Sequence, residues 1–109
     1  MQVWKFGGTS VGKPERMKSI RNLVTEDKTR KIVVLSALSG TTNGLLAIGE
    51  AIKQHKNSEA LENISTLKKH YQSFIEELYT TPVGLAKGQK IIDTEFDFIS
   101  SLVNISPFT

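Results

Sequence analysis

Ile32-Val33-Val34-Leu35 is an uninterrupted apolar run of strand length, bounded by Lys31 and Ser36. A strand that is apolar at every position, not every second one, has to be covered on both faces. That is the signature of the interior of a mostly parallel sheet layered with helices. A shorter strand is expected at Gln2–Lys5. Between the two, Pro14 opens a helix with Met17, Ile20, Leu23 and Val24 at helical spacing. Strand, helix, strand predicts a right-handed βαβ unit, so the class is α/β.

The rest of the chain reads as helix. One helix carries Leu45, Ile48 and Ile52 and turns polar from Lys53 onward. A longer one runs from an N-cap at Ser58 to about Thr80, with Leu61, Ile64, Leu67, Tyr71, Phe74, Ile75 and Leu78 on one face. Pro82 breaks the ladder. A last helix from about Leu85 to Ile105 shows Ile91, Ile92, Phe96, Ile99, Leu102 and Val103, and stops near Pro107. The last two helices are expected to form a hairpin. Two strands cannot supply a sheet with a buried middle, so the sequence reads as the start of a larger domain.

Composition narrows the function classes. With 109 residues, 39% of them apolar, there is room for one modest core. The absence of cysteine removes disulfides and thiolate metal sites and agrees with a reducing compartment. His55 and His70 stand apart, with no second histidine one helical turn away, so no metal site is expected. No run approaches the ~18 apolar residues of a spanning helix, and no secretory signal is visible, so a cytoplasmic protein without a membrane partner is expected. The net charge of +3 is uneven, with eight basic against three acidic residues in positions 1–31. Without aromatic interleaving or a recognisable binding module, that surplus reads as a solvated face that helps attract anions, not as a nucleic-acid site.

The chemistry concentrates in Lys5-Phe6-Gly7-Gly8-Thr9-Ser10-Val11-Gly12, between the end of the first strand and the first helix. Paired glycines permit positive φ and close backbone approach, so consecutive amides can turn toward an anion, with Lys5 as a point charge beside it. The run almost fits the G-x-x-x-x-G-K-[ST] phosphate loop through Gly7, Gly12 and Lys13. Pro14, however, stands where a metal-binding hydroxyl is needed, and the second strand ends in Ser36 instead of an aspartate. A different phosphate site fits better, with the lysine preceding the glycines and donors from Lys5, the Gly7 and Gly8 amides, and the hydroxyls of Thr9, Ser10 and Ser36. A tight βα turn without a ligand is the plain alternative. The stretch Ser36-Ala37-Leu38-Ser39-Gly40-Thr41-Thr42-Asn43-Gly44 again stands between a strand and a helix. If the strands are neighbours, both loops face the crevice beyond their carboxyl ends.

The first run, together with Val33-Val34-Leu35-Ser36-Ala37 and Gly40, Thr42 and Asn43 in that order and separation, resembles the N-terminal portion of aspartokinases, within the amino-acid kinase superfamily. The resemblance implies the start of a three-layer αβα domain with a mostly parallel sheet. Residues 1–109 would form its N-terminal part, the remainder of the domain and the regulatory ACT domains lying outside the sequence. It implies ATP-dependent phosphorylation of L-aspartate, with Mg2+ held mainly through the nucleotide and a homo-oligomer in the full-length enzyme. Lys5 would be the catalytic contact to the ATP phosphates, Gly7, Gly8, Thr9 and Ser10 would line the phosphate site, Ser36 would lie near the γ-phosphate and the substrate, and Thr42 would help bind aspartate. Asn43 would cap the helix that follows. Thr41 stands where the family commonly has an apolar residue, and Gly12 where it often has alanine. Another superfamily kinase acting on glutamate, a carbamate or a nucleoside monophosphate is the nearest alternative, and a non-catalytic anion-binding fragment is another.

Overall fold

The computed structural model describes residues 1–26 and 28–103, the side chain of Thr9 excepted. Two compact units divide the chain, Met1–Gly40 and Thr41–Thr109.

In the first unit, strand β1 (Gln2–Phe6) leads into a single helical turn, α1 (Gly8–Val11), then helix α2 (Pro14–Thr25) and strand β2 (Lys31–Leu35). The strands pair in parallel, Val3 opposite Ile32 and Lys5 opposite Val34, as expected for strands joined through a helix. Pro14 is at the start of α2, where its missing N–H costs nothing. Side chains alternate across the sheet. On one face Trp4 meets Phe6 edge-on at 6.4 Å. Lys31 lies 4.8 Å over the Trp4 ring and donates to the Val24 carbonyl of α2 at 2.8 Å, which ties this face to the end of that helix.

The other face departs from the expectation drawn from the apolar run. Val3 is 67% exposed, Ile32 49% and Val34 44%; Leu35, on the Trp4 face at the strand end, is open as well. Within the described residues of Met1–Gly40 no layer covers the Val3 face, so double-sided burial of β2 is not realised in that unit. Leu23, expected on the apolar face of α2, is also exposed, and Ile20 carries that helix's contact instead.

The second unit is three helices, α3 (Thr41–Lys53), α4 (Asn57–Leu78) and α5 (Pro82–Leu102), around a core of Ile48, Ala51, Ala60, Ile64, Leu67, Ile75, Ile92, Phe96 and Val103. The turn between α3 and α4 uses His55 in the left-handed region, at φ 59°. The His55 amide donates to the Ile52 carbonyl at 3.0 Å and the Lys56 amide to that of Ala51 at 2.9 Å, the paired bonds of a Schellman ending. That ending runs straight into α4, whose cap position is Lys56, so Ser58 lies within the first turn and is not the N-cap. Likewise α5 starts at Pro82, three residues ahead of Leu85. Thr81 accepts from the Gly84 amide at 3.1 Å, and the proline that stops α4 is also preset for the first position of α5. The expected end of this helix near Ile105 and Pro107 lies outside the described residues.

The α4 and α5 faces meet as expected for a hairpin, except that Leu61 of α4 is 44% and Ile91 of α5 63% exposed. Polar groups join the two helices beside the apolar contact. Gln72 and Gln89 exchange reciprocal amide hydrogen bonds of 2.6 and 2.7 Å, Gln89 also donates to Asp93 at 3.0 Å, and Lys68 pairs with Asp93 at 3.3 Å.

Candidate functional site

At the carboxyl end of β1 the chain leaves Phe6 through Gly7, which is extended at φ −78° and ψ 177° and caps the single turn α1. The Ser10 and Val11 amides donate back to the Gly7 carbonyl at 3.0 and 3.2 Å. The amides of Gly8 and Thr9 come too early in the turn to find a carbonyl within it. The paired glycines do not use the positive φ open to them. Gly40 is the glycine found there, at φ 86°, because a helical turn starting at Gly8 presents successive amides with ordinary negative φ.

The second loop meets the first at this sheet edge. The Ser36 amide donates to the Phe6 carbonyl at 3.0 Å, continuing the ladder one residue past β2. Ser39 Oγ donates to the Gly8 carbonyl at 3.0 Å across 31 positions of sequence. Gly12 is the glycine that this closeness requires, since a Cβ there would stand 2.7 Å from Ser39 Oγ and 2.8 Å from the Gly8 carbonyl oxygen. Adjacent parallel strands thus bring both loops to the carboxyl edge, where α/β sheets bind ligands.

Lys5 lies one residue before the strand end, exposed, on the face that carries Val3, Ile32 and Val34. The structure therefore gathers Lys5, Gly7, Gly8, Ser10 and Ser36 within one unit, with Ser36 exposed and Ser10 half-buried. Thr9 belongs to α1, but the expectation for its hydroxyl lies outside the described residues. Thr42 is exposed in the first turn of α3, in the second unit. Asn43 is the third residue of that helix and not its cap. Ser39 escaped the sequence reading. Its place among small and hydroxyl residues was visible, but the bond to Gly8 depends on strand adjacency.

The gathered side chains and amides are donors: an ammonium, two hydroxyls and the first-turn amides, with no carboxylate among them. Such a set suits an oxyanion and not a bare cation. Among the described residues no group of three His, Cys, Asp or Glu could hold a metal ion, and no helix is long and apolar enough to cross a membrane. Glu50, Glu59, Glu62, Glu76, Glu77 and Glu95 are all exposed, as solvated faces should be.

Parallel strands joined through a helix, with two loops meeting at their carboxyl edge, define an α/β protein, and comparison with known proteins specifies which kind. The model of the amino acid kinase family matches residues 1–101, and the chain belongs to that family. Within it the resemblance to aspartokinases holds. Aspartokinase 1, chloroplastic, of Arabidopsis thaliana is 37% identical over 83 residues, 73% of this chain and 15% of the relative. Aspartokinase 2, chloroplastic, of the same plant is 40% identical over 79 residues, 70% of this chain and 14% of the relative. A Haemophilus influenzae relative whose name includes the word "inactive" is 36% identical over 63 residues, 58% of this chain and 52% of its own length. The match thus spans about one-seventh of the two plant relatives and about half of the bacterial one.

Proposed function

We propose that this chain is the phosphate-handling part of an ATP-dependent aspartate kinase. The whole enzyme would convert L-aspartate and ATP to 4-phospho-L-aspartate and ADP, the first step toward lysine, threonine and methionine. A β-carboxylate oxygen attacks the γ-phosphorus, and the bond from that phosphorus to the β,γ-bridging oxygen breaks as ADP leaves. The chemistry asks the protein for in-line placement and charge stabilisation more than for covalent participation. Lys5 offsets charge on the transferred group. The Gly7 and Gly8 amides, with Ser10 and the neighbouring Thr9, hold phosphate oxygens. Ser36 stands near the γ-phosphate and the acceptor, and Thr42 contacts aspartate. Mg2+ arrives with ATP, in keeping with a site built from donors and lacking carboxylates.

The observation that carries this reading is the joining of the two loops by the Ser39–Gly8 hydrogen bond at one sheet edge, in a chain of the amino acid kinase family whose relatives are named aspartokinases. The 109 residues alone are expected to be inactive, since transfer requires both substrates held in line and the chain matches about one-seventh of the plant aspartokinases. The test is ADP release by the complete gene product with Mg-ATP and L-aspartate, L-glutamate or no acceptor, with Lys5→Ala as control. Aspartate-dependent, Lys5-dependent release is expected. Release with glutamate alone would keep the family and replace the substrate, and release that ignores Lys5 would remove its role.

A further inference from the structure

Helices α3 and α4 pack antiparallel along a single seam. On α3 the seam runs Thr41, Gly44, Ile48, Ala51, at alternating steps of three and four. On α4 it runs the opposite way, Tyr71, Leu67, Ile64, Ala60. Its middle is close-packed, since a Cβ at Gly44 would stand 3.1 Å from Leu67 Cδ1. At the end where α3 begins, the contact changes from apolar to polar. Thr41 Oγ1 and Tyr71 Oη share a hydrogen bond of 2.5 Å in a half-buried position. The Tyr71 ring is itself fixed edge-on against Phe96 of α5, at 5.6 Å and 87°, and Phe96 is buried.

This hydroxyl pair sets how the first turn of α3 is rotated about its axis. Thr41 is β-branched, so its hydroxyl direction is tied closely to the backbone. Successive side chains on a helix diverge by about 100°, so fixing Thr41 toward Tyr71 also fixes where exposed Thr42 points. Without the bond, the first turn at this end of the seam would keep Gly44, which has no side chain, as its nearest packing residue.

We propose that Tyr71 is a positioning residue for the acceptor substrate. Through Thr41 it holds Thr42 in the orientation that meets the aspartate carboxylate. The role rests on the kinase reading above. Tyr71 touches neither substrate, so its loss acts on aspartate binding and not on the phosphate site.

The test uses the complete gene product and steady-state kinetics in both substrates. Tyr71→Phe keeps the ring on Phe96 and removes only the hydroxyl. It should raise the aspartate KM by about 3- to 10-fold, the range for losing one hydrogen bond, with the ATP KM and kcat nearly unchanged. Thr41→Val should reproduce that rise from the other partner, Thr41→Ser should restore wild-type values, and the double variant should be no worse than either single one. An unchanged aspartate KM in both Tyr71→Phe and Thr41→Val, in an enzyme that turns over aspartate, overturns the positioning role alone. So does an equal rise in both KM values with a lower melting temperature, which marks a purely structural residue. Absence of aspartate-dependent turnover in the wild type overturns the kinase reading and this role with it.

Discussion

Gly12→Ala tests the joined loops most directly, because it places one methyl group beside the hydrogen bond that joins them. Gly12 sits at φ −72° and ψ −10°, a conformation alanine adopts freely, so any cost must come from packing. A Cβ at this position would lie 2.7 Å from Ser39 Oγ and 2.8 Å from the Gly8 carbonyl oxygen, whereas carbon–oxygen contacts prefer about 3.3–3.6 Å. Ser39 can rotate away only by giving up its hydrogen bond to Gly8, worth about 1 kcal/mol. The Gly8 carbonyl is backbone and moves only with α1, and overpacking of this kind costs about 1–3 kcal/mol. Against this, alanine restricts the unfolded chain and returns about 0.4–1 kcal/mol. The net expectation is a loss of about 1–3.5 kcal/mol, read by urea denaturation of the expressed protein. Ser39→Ala alone should cost about 1 kcal/mol, and clearly less in the Gly12→Ala background, where its bond is already broken. A Gly12→Ala protein as stable as the parent, or strict additivity of the pair, would refute the claim that Ser39 fills the space beside Gly12.

Lys5→Ala should lower aspartate-dependent turnover of the complete gene product by about 100-fold or more. Its melting temperature should hardly move, because Lys5 is exposed; a normal rate with a collapsed fold would reverse the assignment. His55→Gly should stabilise the protein by about 1 kcal/mol, since a histidine at φ 59° bears the left-handed penalty that glycine avoids; a lower melting temperature would contradict it. The Asp93 carboxyl is held below the usual aspartate value, first by the Gln89 hydrogen bond and then by Lys68, with desolvation opposing. A lowered folded-state value means the stability it contributes is complete above the ordinary value near 3.8 and is lost as pH falls through the lower one. Asp93→Asn should therefore melt below the parent at neutral pH and alongside it near about pH 2; a gap that persists unchanged into acid would count against the linkage.

Much of the local structure was legible because it depends on neighbours in sequence. The apolar run at Ile32–Leu35, the proline at the head of α2 and the helical spacing of Ile64, Leu67 and Phe74 mark a strand, a start and a buried face by rules that act within a few residues. Where reading failed, the backbone course of a turn or the packing of a helix decided. Ser58 looked like a cap until the Schellman turn at His55 fed the chain directly into α4. Ile91 fitted the apolar period of α5, yet the core takes Ile92 and leaves Ile91, about 100° away around the helix, exposed. The glycine run permitted positive φ, but a single helical turn from Gly8 presents its amides without it.

The sequence by itself determined the α/β class, the two loops of small and donor residues, and the resemblance that identifies the family, since these follow from residue type and spacing. Tertiary structure decided that the loops touch, that Ser39 is the side chain joining them, and that Tyr71 holds the head of α3. Each of those depends on a hydrogen bond between residues about 30 positions apart. Such a bond forms only where strand pairing or helix packing has already brought its partners within reach, and no periodicity along the chain encodes that distance.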